Sequence, residues 1–442
     1  MHIICRFQKS LLTTYVVNKD ERGRKQMRLI SLINISISIL FTIFYFHQFV
    51  YLIVPLFTKR KKVNVNDKEN KFAVLIAARN EEKVITKLIE SIRTQKYPKE
   101  QVSIFVVADN CTDQTAVLAR SAGAIVYERF DKEKIGKGYA LHFLLNQIFQ
   151  SHNRNEFDGY FVFDADNLLD PMYIYEMNQM FNEGHPVITS YRNSKNYGTN
   201  WISAGYSLWF LRESAHMNRP RTLINTGCTV SGTGFLISKD IIIQENGWNF
   251  FLLTEDIEFS VYHAIQGNRI AYCHRAIFYD EQPTTFAQSW RQRMRWAKGF
   301  YQVFFKYGDK LFLNIFSKPS FWCYDLFVKI MPTRAIGAIS LSINLILIVL
   351  YASQGNDVTA ELNVIWRLLG TAYLINFGFG LITTLTEWKN IHCHSFLKVI
   401  YMFTFPIFIW TYTPISIVAI FTPVKWKPVH HTQSITIEDV LS

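Results

Sequence analysis

The sequence is poor in cysteine, and its cysteines form no recognisable pattern. All six are scattered singly, without a CxxC pair. Neither a disulfide framework nor a cysteine-ligated zinc site is therefore indicated. A chain without paired cysteines suits a reducing compartment, so we expect the soluble part of the protein to lie in the cytosol.

Charged residues are also scarce, at 19% of 442 residues, whereas apolar residues make up 49% and aromatic residues 15%. This composition excludes a disordered chain. The share of apolar residues is high for a cytosolic protein, and the share of polar residues is high for a protein made only of transmembrane helices. It indicates a soluble part joined to a membrane part. The net charge of +12 suits anionic membrane lipids, nucleic acid or a phosphate-bearing ligand.

The first long apolar run predicts a transmembrane helix over residues 29–57, which contain no charged side chain. The basic block KRKK follows at residues 59–62. Because positive flanks favour the inner face of a cell membrane, residues 70–310 are predicted to lie in the cytoplasm. The basic N-terminal segment, residues 1–28, conflicts with this orientation. We hypothesise that translation starts at Met27, which would remove most of that charge.

Three further apolar runs, at residues 335–351, 368–385 and 399–421, predict a C-terminal membrane region over residues 332–421. Pro406 and Pro414 in the last run leave open whether it crosses the membrane or bends and returns. The region therefore holds two or three transmembrane helices, and the side that carries the C-terminal tail, residues 422–442, stays open.

Residues 311–331 mix aromatic and charged side chains, which predicts helices lying in the membrane interface. A surface helix of the soluble domain is the alternative. Either way, the segment separates the soluble domain from the C-terminal membrane region.

Within the soluble domain, strand-like and helix-like segments alternate. Residues 72–78 (FAVLIAA) form an apolar run of strand length, and similar strands end at Asp109 and Asp166. Continuous apolar strands separated by helices predict an α/β domain with a mostly parallel, Rossmann-like sheet covered on both faces. In such sheets, ligands bind beyond the carboxyl ends of the strands.

Two common nucleotide motifs are absent. The first strand runs into the sequence AARNE, which lacks the GxGxxG of dinucleotide-binding proteins, so a nicotinamide or flavin enzyme is disfavoured. Gly136, Lys137 and Gly138 look like part of a P-loop, but Asp131 replaces the first glycine and no Ser or Thr follows the lysine. Lys137 is still a candidate phosphate contact.

Acidic residues stand where ligands are expected. Asp109 closes one strand, and Asp164 and Asp166 close another as a DAD sequence that offers two oxygen ligands to Mg²⁺ or Mn²⁺. Helix capping or an ordinary turn is the plain alternative. Asp256 is predicted in the first turn of a helix that starts after Thr254, away from its core face. There the helix dipole favours the carboxylate, which makes it a candidate general base. A first-turn acid that only satisfies the dipole is the alternative.

A basic aromatic segment, SWRQRMRWAKGF, places three side chains on one helix face. Gln292, Arg295 and Trp296 are spaced i, i+3 and i+4. The arginine suits phosphate oxygens, the glutamine adds neutral hydrogen bonds, and the indole offers a flat face to a sugar ring. A basic amphipathic helix on the membrane surface is the alternative.

These motifs, in this order, resemble the inverting, membrane-bound family 2 glycosyltransferases of the processive type. That group includes hyaluronan, cellulose, chitin and poly-N-acetylglucosamine synthases. The resemblance covers about residues 72–299 and implies a GT-A fold flanked by transmembrane helices. The family often has a proline before the first turn, where this chain has Ala77 and Ala78, so the contact expected of Glu81 is less well supported by the motif.

The resemblance also implies roles for individual residues. Asp256 would accept the proton of the acceptor hydroxyl, and Trp296 would form the floor of the acceptor site. The donor contacts would be Asp109 and Glu81 at the nucleoside, Asp164 at the ribose and phosphate, Asp166 at the metal, and Gln292, Arg295 and Lys137 at the diphosphate. The SGTG sequence at residues 231–234 would let the backbone approach the sugars.

The implied function is transfer of a sugar from a nucleotide sugar, a UDP-sugar by analogy, to a growing polysaccharide through β-linkages. Mg²⁺ or Mn²⁺ would be the cofactor, and membrane lipids would surround the chain. Transfer of a single sugar to a lipid carrier is the alternative within this class; a homo-oligomer is left open. A non-catalytic membrane scaffold is the alternative from another class. No nucleic-acid-reading module is recognisable. His430 and His431 are interpreted as interfacial or solvated rather than as metal ligands.

Overall fold

The computed structural model describes residues 32, 34, 36, 39–58, 67–317, 320–426, 431 and 433–441. The predicted basic segment at residues 1–28 and the block at residues 59–62 lie outside the described residues. Two compact units are found: the larger comprises Tyr51–Pro332 with Tyr373–Ser442, and the smaller comprises Met1–Val50 with Thr333–Ala372.

The larger unit is built on an eight-stranded sheet in the order β3-β2-β1-β4-β7-β6-β8-β5. The strands are β1 Phe72–Ala78, β2 Val102–Asp109, β3 Ile125–Arg129, β4 Gly159–Asp164, β5 Leu168–Leu169, β6 Val187–Ser194, β7 Phe235–Ser238 and β8 Ile270–Asp280. β7 runs antiparallel to both of its neighbours, and the short β5 runs antiparallel to β8. The other pairings are parallel, so β1, β2, β3, β4, β6 and β8 all end at the same edge.

In the described residues, helices connect the strands of the sheet, and further helices precede and follow it. They are α1 Ile39–Phe57, α2 Ile85–Arg93, α3 Thr115–Ser121, α4 Lys137–Ser151, α5 Tyr173–Asn182, α6 Trp201–Arg212, α7 Arg219–Leu223, α8 Lys239–Gln244, α9 Glu255–Gln266, α10 Phe286–Ser317, α11 Phe321–Ile330, α12 Thr333–Ser353, α13 Thr359–Thr386, α14 Ser395–Trp410, α15 Tyr412–Phe421 and α16 Ile437–Leu441. A π-helical turn, Glu213–Asn218, joins α6 to α7.

The sheet is covered on both faces, as the continuous apolar strands predicted. Ala73 and Leu75 of β1 pack into one buried cluster with α4, whereas Val74 and Ile76 pack into a second cluster with α2 and α5. Successive side chains of a strand point to opposite faces, so a strand between two helical layers must be apolar throughout. The predicted mostly parallel α/β fold is therefore confirmed.

Four helical segments are long and apolar enough to cross a membrane: Ile39–Phe57, Thr333–Ser353, Thr359–Thr386 and Ser395–Phe421. In the smaller unit, Asn34 and Asn344 exchange amide hydrogen bonds of 2.6 and 3.0 Å. Such pairing satisfies amide groups that would be costly alone in an apolar environment.

The last of these segments bends. α14 contains Pro406, and Thr411 separates it from α15, which has Pro414 in its first turn. Arg293 of α10 donates from NH1 to the carbonyl oxygen of Phe408 at 3.1 Å and to Thr411 Oγ1 at 2.9 Å. The backbone carbonyl at the bend is thus satisfied by a side chain of α10, which belongs to the same compact unit.

Candidate active site

The predicted acidic residues lie beyond the edge where the parallel strands end. Two left-handed asparagines shape the turns there: Asn80 after β1 has φ of 57°, and Asn110 after β2 has φ of 53°. Asparagine tolerates this region better than most residues. The backbone N–H of Thr112 donates to Asn80 Oδ1 at 2.8 Å, so the two turns form one rim.

Asp109, the last residue of β2, is buried against an arginine. Arg129 NH1 donates to Asp109 Oδ1 at 2.5 Å, and NH2 donates to Asp131 Oδ2 at 2.9 Å. Burial raises the pKa of Asp109, and Arg129 opposes this rise. Asp109 thus has a partner within the fold, and its contact with a nucleoside stays a prediction.

Lys137 connects two parts of the site. It lies at the start of α4, and its Nζ donates to the carboxylate of Asp164 and, at 2.7 Å, to the carbonyl oxygen of Gly232. The neighbouring Gly138 permits this position of the helix, because a Cβ there would lie 2.1 Å from the carbonyl oxygen of Phe250. The partial P-loop sequence is therefore a close-packed helix start that aims a lysine at the end of β4.

Asp256 lies on the other side of the same loop. A Cβ added to Gly232, which has a φ of 83°, would lie 3.7 Å from Asp256 Oδ2. Lys137 thus contacts Asp164 and Gly232, and Asp256 lies beside Gly232. The structure brings these predicted site residues together although they are far apart in the sequence.

The protonation of Asp256 is set by competing influences. Burial raises its pKa, while the backbone N–H of Ile257 and the charges of Arg295 and Lys137 lower it. Burial and then the charge of Asp256 raise the pKa of Glu255 to about 7. Burial outweighs these lowering influences and leaves the pKa of Asp256 raised, so its carboxylate is a stronger base than that of an exposed aspartate.

The start of α9 is held by close packing. The helix begins after Thr254, as predicted, but the threonine side chain makes no capping hydrogen bond. A Cβ on Gly299 of α10 would lie 2.5 Å from Thr254 Oγ1 and Cγ2. The side chain of Thr254 therefore points toward Gly299. Because glycine has no side chain, α9 and α10 can pack closely at this point.

The three predicted residues of α10 have different surroundings. Arg295 NH1 donates to the carbonyl oxygen of Leu253 at 3.1 Å, beside Asp256. Trp296 is half-buried and meets Tyr206 and Phe210 edge to face, with ring centroids 5.7 and 6.1 Å apart. Gln292 Oε1 is buried and has no hydrogen-bond partner among the described residues, so it is available as an acceptor.

The second aspartate of the DAD sequence lies beyond the strand. β4 ends at Asp164, so strand alternation does not decide the direction of Asp166. Asp166 Oδ2 accepts the backbone N–H of Glu281 at 2.8 Å and lies 3.9 Å from His431 Nε2. Burial raises the pKa of Asp166, and the charges of His431 and Lys195 lower it to a net value below its usual range.

His431 is a site residue that sequence reasoning missed. Its Nδ1 lies 3.0 Å from both carboxylate oxygens of Glu81. Although burial opposes protonation, Asp166 and Glu81 raise the pKa of His431 to about 10. The interpretation of His431 as solvated or interfacial was wrong. No sequence pattern could have found this contact, because the histidine follows no periodic segment and its partners are hundreds of residues away.

Arg192 and Asp280, at the ends of β6 and β8, were also missed. Arg192 Nε donates to Asp280 Oδ2 at 2.8 Å, and NH1 donates to the carbonyl oxygen of Ser231 at 2.8 Å. Its guanidinium also lies 3.5 Å from the ring centroid of Phe210. One arginine thus fixes two strand ends, the glycine-containing loop and α6 together.

Asp164 and Asp166 are the residues best suited to hold a divalent cation. Among the described residues, no three His, Cys, Asp or Glu side chains form a complete metal cluster. Mg²⁺ and similar ions commonly use one or two carboxylates, with substrate phosphates and water as the remaining ligands. The carboxylates present fit that requirement.

Comparison with known proteins agrees with this architecture. The family model described as glycosyltransferase like family 2 matches residues 69–299. A probable glycosyltransferase of Bacillus subtilis is 29% identical over 266 residues, covering 55% of this chain and 58% of that protein. A β-monoglucosyldiacylglycerol synthase of Nostoc sp. is 28% identical over 280 residues, covering 60% of this chain and 57% of that protein.

A poly-β-1,6-N-acetyl-D-glucosamine synthase of Staphylococcus aureus is 26% identical over 259 residues, covering 55% of this chain and 58% of that protein. The match thus spans less than two thirds of the length of each of these relatives. A solved structure, a mannosyltransferase from Pyrobaculum calidifontis in complex with GDP-Man and Mn²⁺, aligns with a TM-score of 0.53 at 13% identity. That alignment covers 87% of this chain and 98% of the other.

At 13% identity, the similarity to this solved structure is evidence of the fold alone. Together with the observed sheet, that similarity confirms the predicted GT-A fold. The family match carries the assignment further, because residues 69–299 are more than half of the 442 residues. The chain belongs to glycosyltransferase family 2.

Proposed function

We propose that the protein transfers a sugar from a nucleoside diphosphate sugar to a saccharide acceptor at the cytoplasmic face of a membrane, with inversion at the anomeric carbon. The observation that carries this proposal is that Lys137 contacts both Asp164 and the carbonyl oxygen of Gly232, with Asp256 beside Gly232. It supports a donor diphosphate and an acceptor hydroxyl bound on opposite sides of one loop.

The donor is bound by residues at or near the strand ends and by residues of α10. Asp109 and Glu81 bind the nucleoside, and Asp164 binds the ribose and phosphate side. Lys137, Arg295 and Gln292 bind the diphosphate; the unpartnered Gln292 Oε1 accepts from a ligand hydroxyl nearby. The two cationic side chains stabilise the negative charge that develops on the leaving diphosphate.

Asp166, with Asp164 beside it, holds Mg²⁺ or Mn²⁺ against the donor phosphates. When bound, the cation supplies Lewis-acid stabilisation of the leaving group. The Mn²⁺ in the solved mannosyltransferase of the same fold supports this assignment.

Asp256 acts on the acceptor. Its carboxylate takes the proton of the acceptor hydroxyl as that oxygen attacks the anomeric carbon. A single in-line displacement inverts the configuration, so an α-linked donor gives a β-linked product. The raised pKa of Asp256 favours proton transfer near neutral pH.

Trp296, with Tyr206 and Phe210 around it, forms an apolar floor for the acceptor sugar. We favour a growing β-linked polysaccharide, in line with the Staphylococcus aureus relative. Transfer of one sugar to a lipid is the second candidate, and it is supported by the name of the Nostoc relative.

A screen of nucleotide sugars tests the function. Membranes that contain the full chain would be incubated with radiolabelled UDP- and GDP-sugars, with Mn²⁺ or with EDTA, and the products sized after lipid extraction. The proposal expects metal-dependent transfer from a UDP-sugar into a product of many sugars. A labelled lipid of one sugar would select the second candidate, and no transfer from any donor would reject both.

A further inference from the structure

A pair of aromatic side chains lies beside Lys137, at the start of α4. The ring of Tyr139 stacks on that of Phe251, with ring centroids 4.6 Å apart and an angle of 18° between the planes. Phe251 belongs to the loop between α8 and α9, which leads directly to Asp256. The pair thus joins the helix that carries a predicted diphosphate contact to the loop that precedes the predicted base.

The protein covers this pair only in part. Stacking covers one face of each ring, yet 38% of the surface of Phe251 is accessible, and Tyr139 is half-buried. The hydroxyl of Tyr139 makes no hydrogen bond to any residue that the structure describes. Aromatic surface and a polar group are therefore both available to a ligand at this position.

The loop that carries Phe251 is fixed by a buried carboxylate. Glu258, in the first turn of α9, is fully buried. Its Oε2 accepts the backbone N–H groups of Phe251 and Leu252 at 3.0 and 2.9 Å. Its Oε1 accepts from Lys306 Nζ at 2.6 Å and from Tyr307 Oη at 3.2 Å, both on α10. The loop is therefore held in place before a ligand binds, which lowers the entropy lost on binding.

The loop also approaches the start of α4 closely. A Cβ on Gly138 would lie 2.1 Å from the carbonyl oxygen of Phe250 and 3.4 Å from the Cα of Phe251. The preceding residue, Lys137, reaches the carboxylate of Asp164 with its Nζ. The aromatic pair therefore lies next to a side chain that is predicted to bind the donor diphosphate.

A rigid and partly exposed aromatic surface suits a sugar ring, because the C–H groups of a pyranose form an apolar face that packs on an aromatic ring. The position of the pair indicates which sugar this is. The transferred sugar is bonded directly to the diphosphate, so it lies within reach of residues beside Lys137. Trp296, the predicted acceptor floor, instead meets Tyr206 and Phe210 of α6. The pair on α4 is thus distinct from the acceptor floor.

We propose that Tyr139 and Phe251 form a platform on which the sugar of the nucleotide-sugar donor stacks. This inference rests on the proposed function, because it concerns the same donor. It adds a contact with the transferred sugar, whereas the donor residues assigned above contact the nucleoside, the ribose and the diphosphate. The platform should therefore contribute to the binding of a UDP-sugar and not to the binding of UDP.

A purely structural role of the pair makes a different prediction. If the two rings only pack α4 against the loop, their loss displaces Lys137, which is predicted to contact the diphosphate. The affinities for UDP and for a UDP-sugar would then fall together. The ratio of the two affinities therefore decides between a sugar contact and a packing contact.

The test uses the full-length protein in detergent and measures the dissociation constants of UDP, UDP-glucose and UDP-N-acetylglucosamine by calorimetry. Phe251→Leu keeps an apolar side chain but removes the ring. It should weaken binding of the preferred UDP-sugar by about three- to tenfold and leave UDP binding unchanged. Phe251→Trp keeps an aromatic face and should bind the UDP-sugar almost as the wild type does. In the transfer assay, Phe251→Leu should raise the donor KM with little change in kcat.

Tyr175→Leu is the matched control, since Tyr175 is 39% exposed and lies on α5, which covers the other face of the sheet. Its affinities should equal those of the wild type. If Phe251→Leu binds the UDP-sugar as the wild type does, or loses UDP and UDP-sugar affinity equally, the inference is overturned while transfer by the wild type leaves the proposed function intact. A wild type that neither binds nor transfers either UDP-sugar overturns the proposed UDP-sugar donor and this inference together.

Discussion

The imidazole of His431 lies 3.0 Å from the carboxylate oxygens of Glu81, although 350 residues separate them. This contact ties the C-terminal segment to the first turn of the catalytic domain. We therefore predict that the C-terminal segment lies on the same side of the membrane as that domain.

This prediction requires an even number of membrane crossings between α11 and His431. We predict that α12 and α13 cross the membrane and that α14 and α15 lie along its surface. The contacts of α15 with α10 support this, since Tyr301 Oη donates to the carbonyl oxygen of Ser416 at 2.9 Å and Lys298 Nζ to that of Ile420 at 3.2 Å.

Protease treatment of intact spheroplasts checks this topology. An epitope tag at the C-terminus should be protected, whereas a tag inserted after Gly355, between α12 and α13, should be digested. Digestion of the C-terminal tag would contradict the predicted topology.

Lys137→Met should shift the pH dependence of turnover. The lysine charge lowers the pKa of Asp256 and of Glu255, so its removal raises both values. A general base is active above its pKa and loses activity as the pH falls through it. The acidic limb of the kcat profile should therefore move to higher pH, in addition to any loss of rate.

Lys239→Met is the matched control, because Lys239 lies after β7 and faces Asp158 at 3.5 Å, at the opposite edge of the sheet. Its profile should coincide with that of the wild type. An acidic limb that stays in place in Lys137→Met would show that Lys137 does not act on the base.

Gly299→Ala should disturb the junction of α9 and α10. The new methyl group would lie 2.5 Å from Thr254, so the helices must separate, at a cost of about 1–3 kcal/mol in the free energy of unfolding. Thermal unfolding and the transfer assay measure both effects. Thr254→Ala in the same chain removes the atoms in conflict and should restore much of the stability; additive losses in the double variant would argue against this contact.

Arg129→Met should destabilise the fold by about 3–5 kcal/mol, because it leaves the buried carboxylate of Asp109 without its partner. Adding Asp109→Asn should recover part of this loss. If the recovered double variant binds UDP as the wild type does, Asp109 serves the fold and not the nucleoside. A double variant that is stable but fails to bind UDP supports the predicted nucleoside contact.

The sheet was predictable because its physical signal is local. β1, β2 and β4 are largely continuous apolar runs, each ending at or just before a polar residue, and parallel strands place those ends together. The start of α9 after Thr254 was predictable for the same reason. The missing cap was not, since it depends on the approach of Gly299, which no local pattern encodes.

Other parts of the site depend on contacts between distant segments. The Arg192–Asp280 ion pair joins two strand ends, and neither residue belongs to a recognisable motif. The position of His431 depends on the docking of α16 beside β8. A solvated histidine and a half-buried one in an acidic site look the same in a single sequence.

The most direct test of the account is the effect of Asp256→Asn on transfer and on donor binding in the same preparation. The amide is nearly the same size but cannot accept the proton, so transfer should fall by about 10²–10⁴-fold while binding of the nucleotide sugar, measured by calorimetry, is unchanged. A variant that binds the donor and turns over at close to the wild-type rate would contradict the assignment of Asp256 as the base.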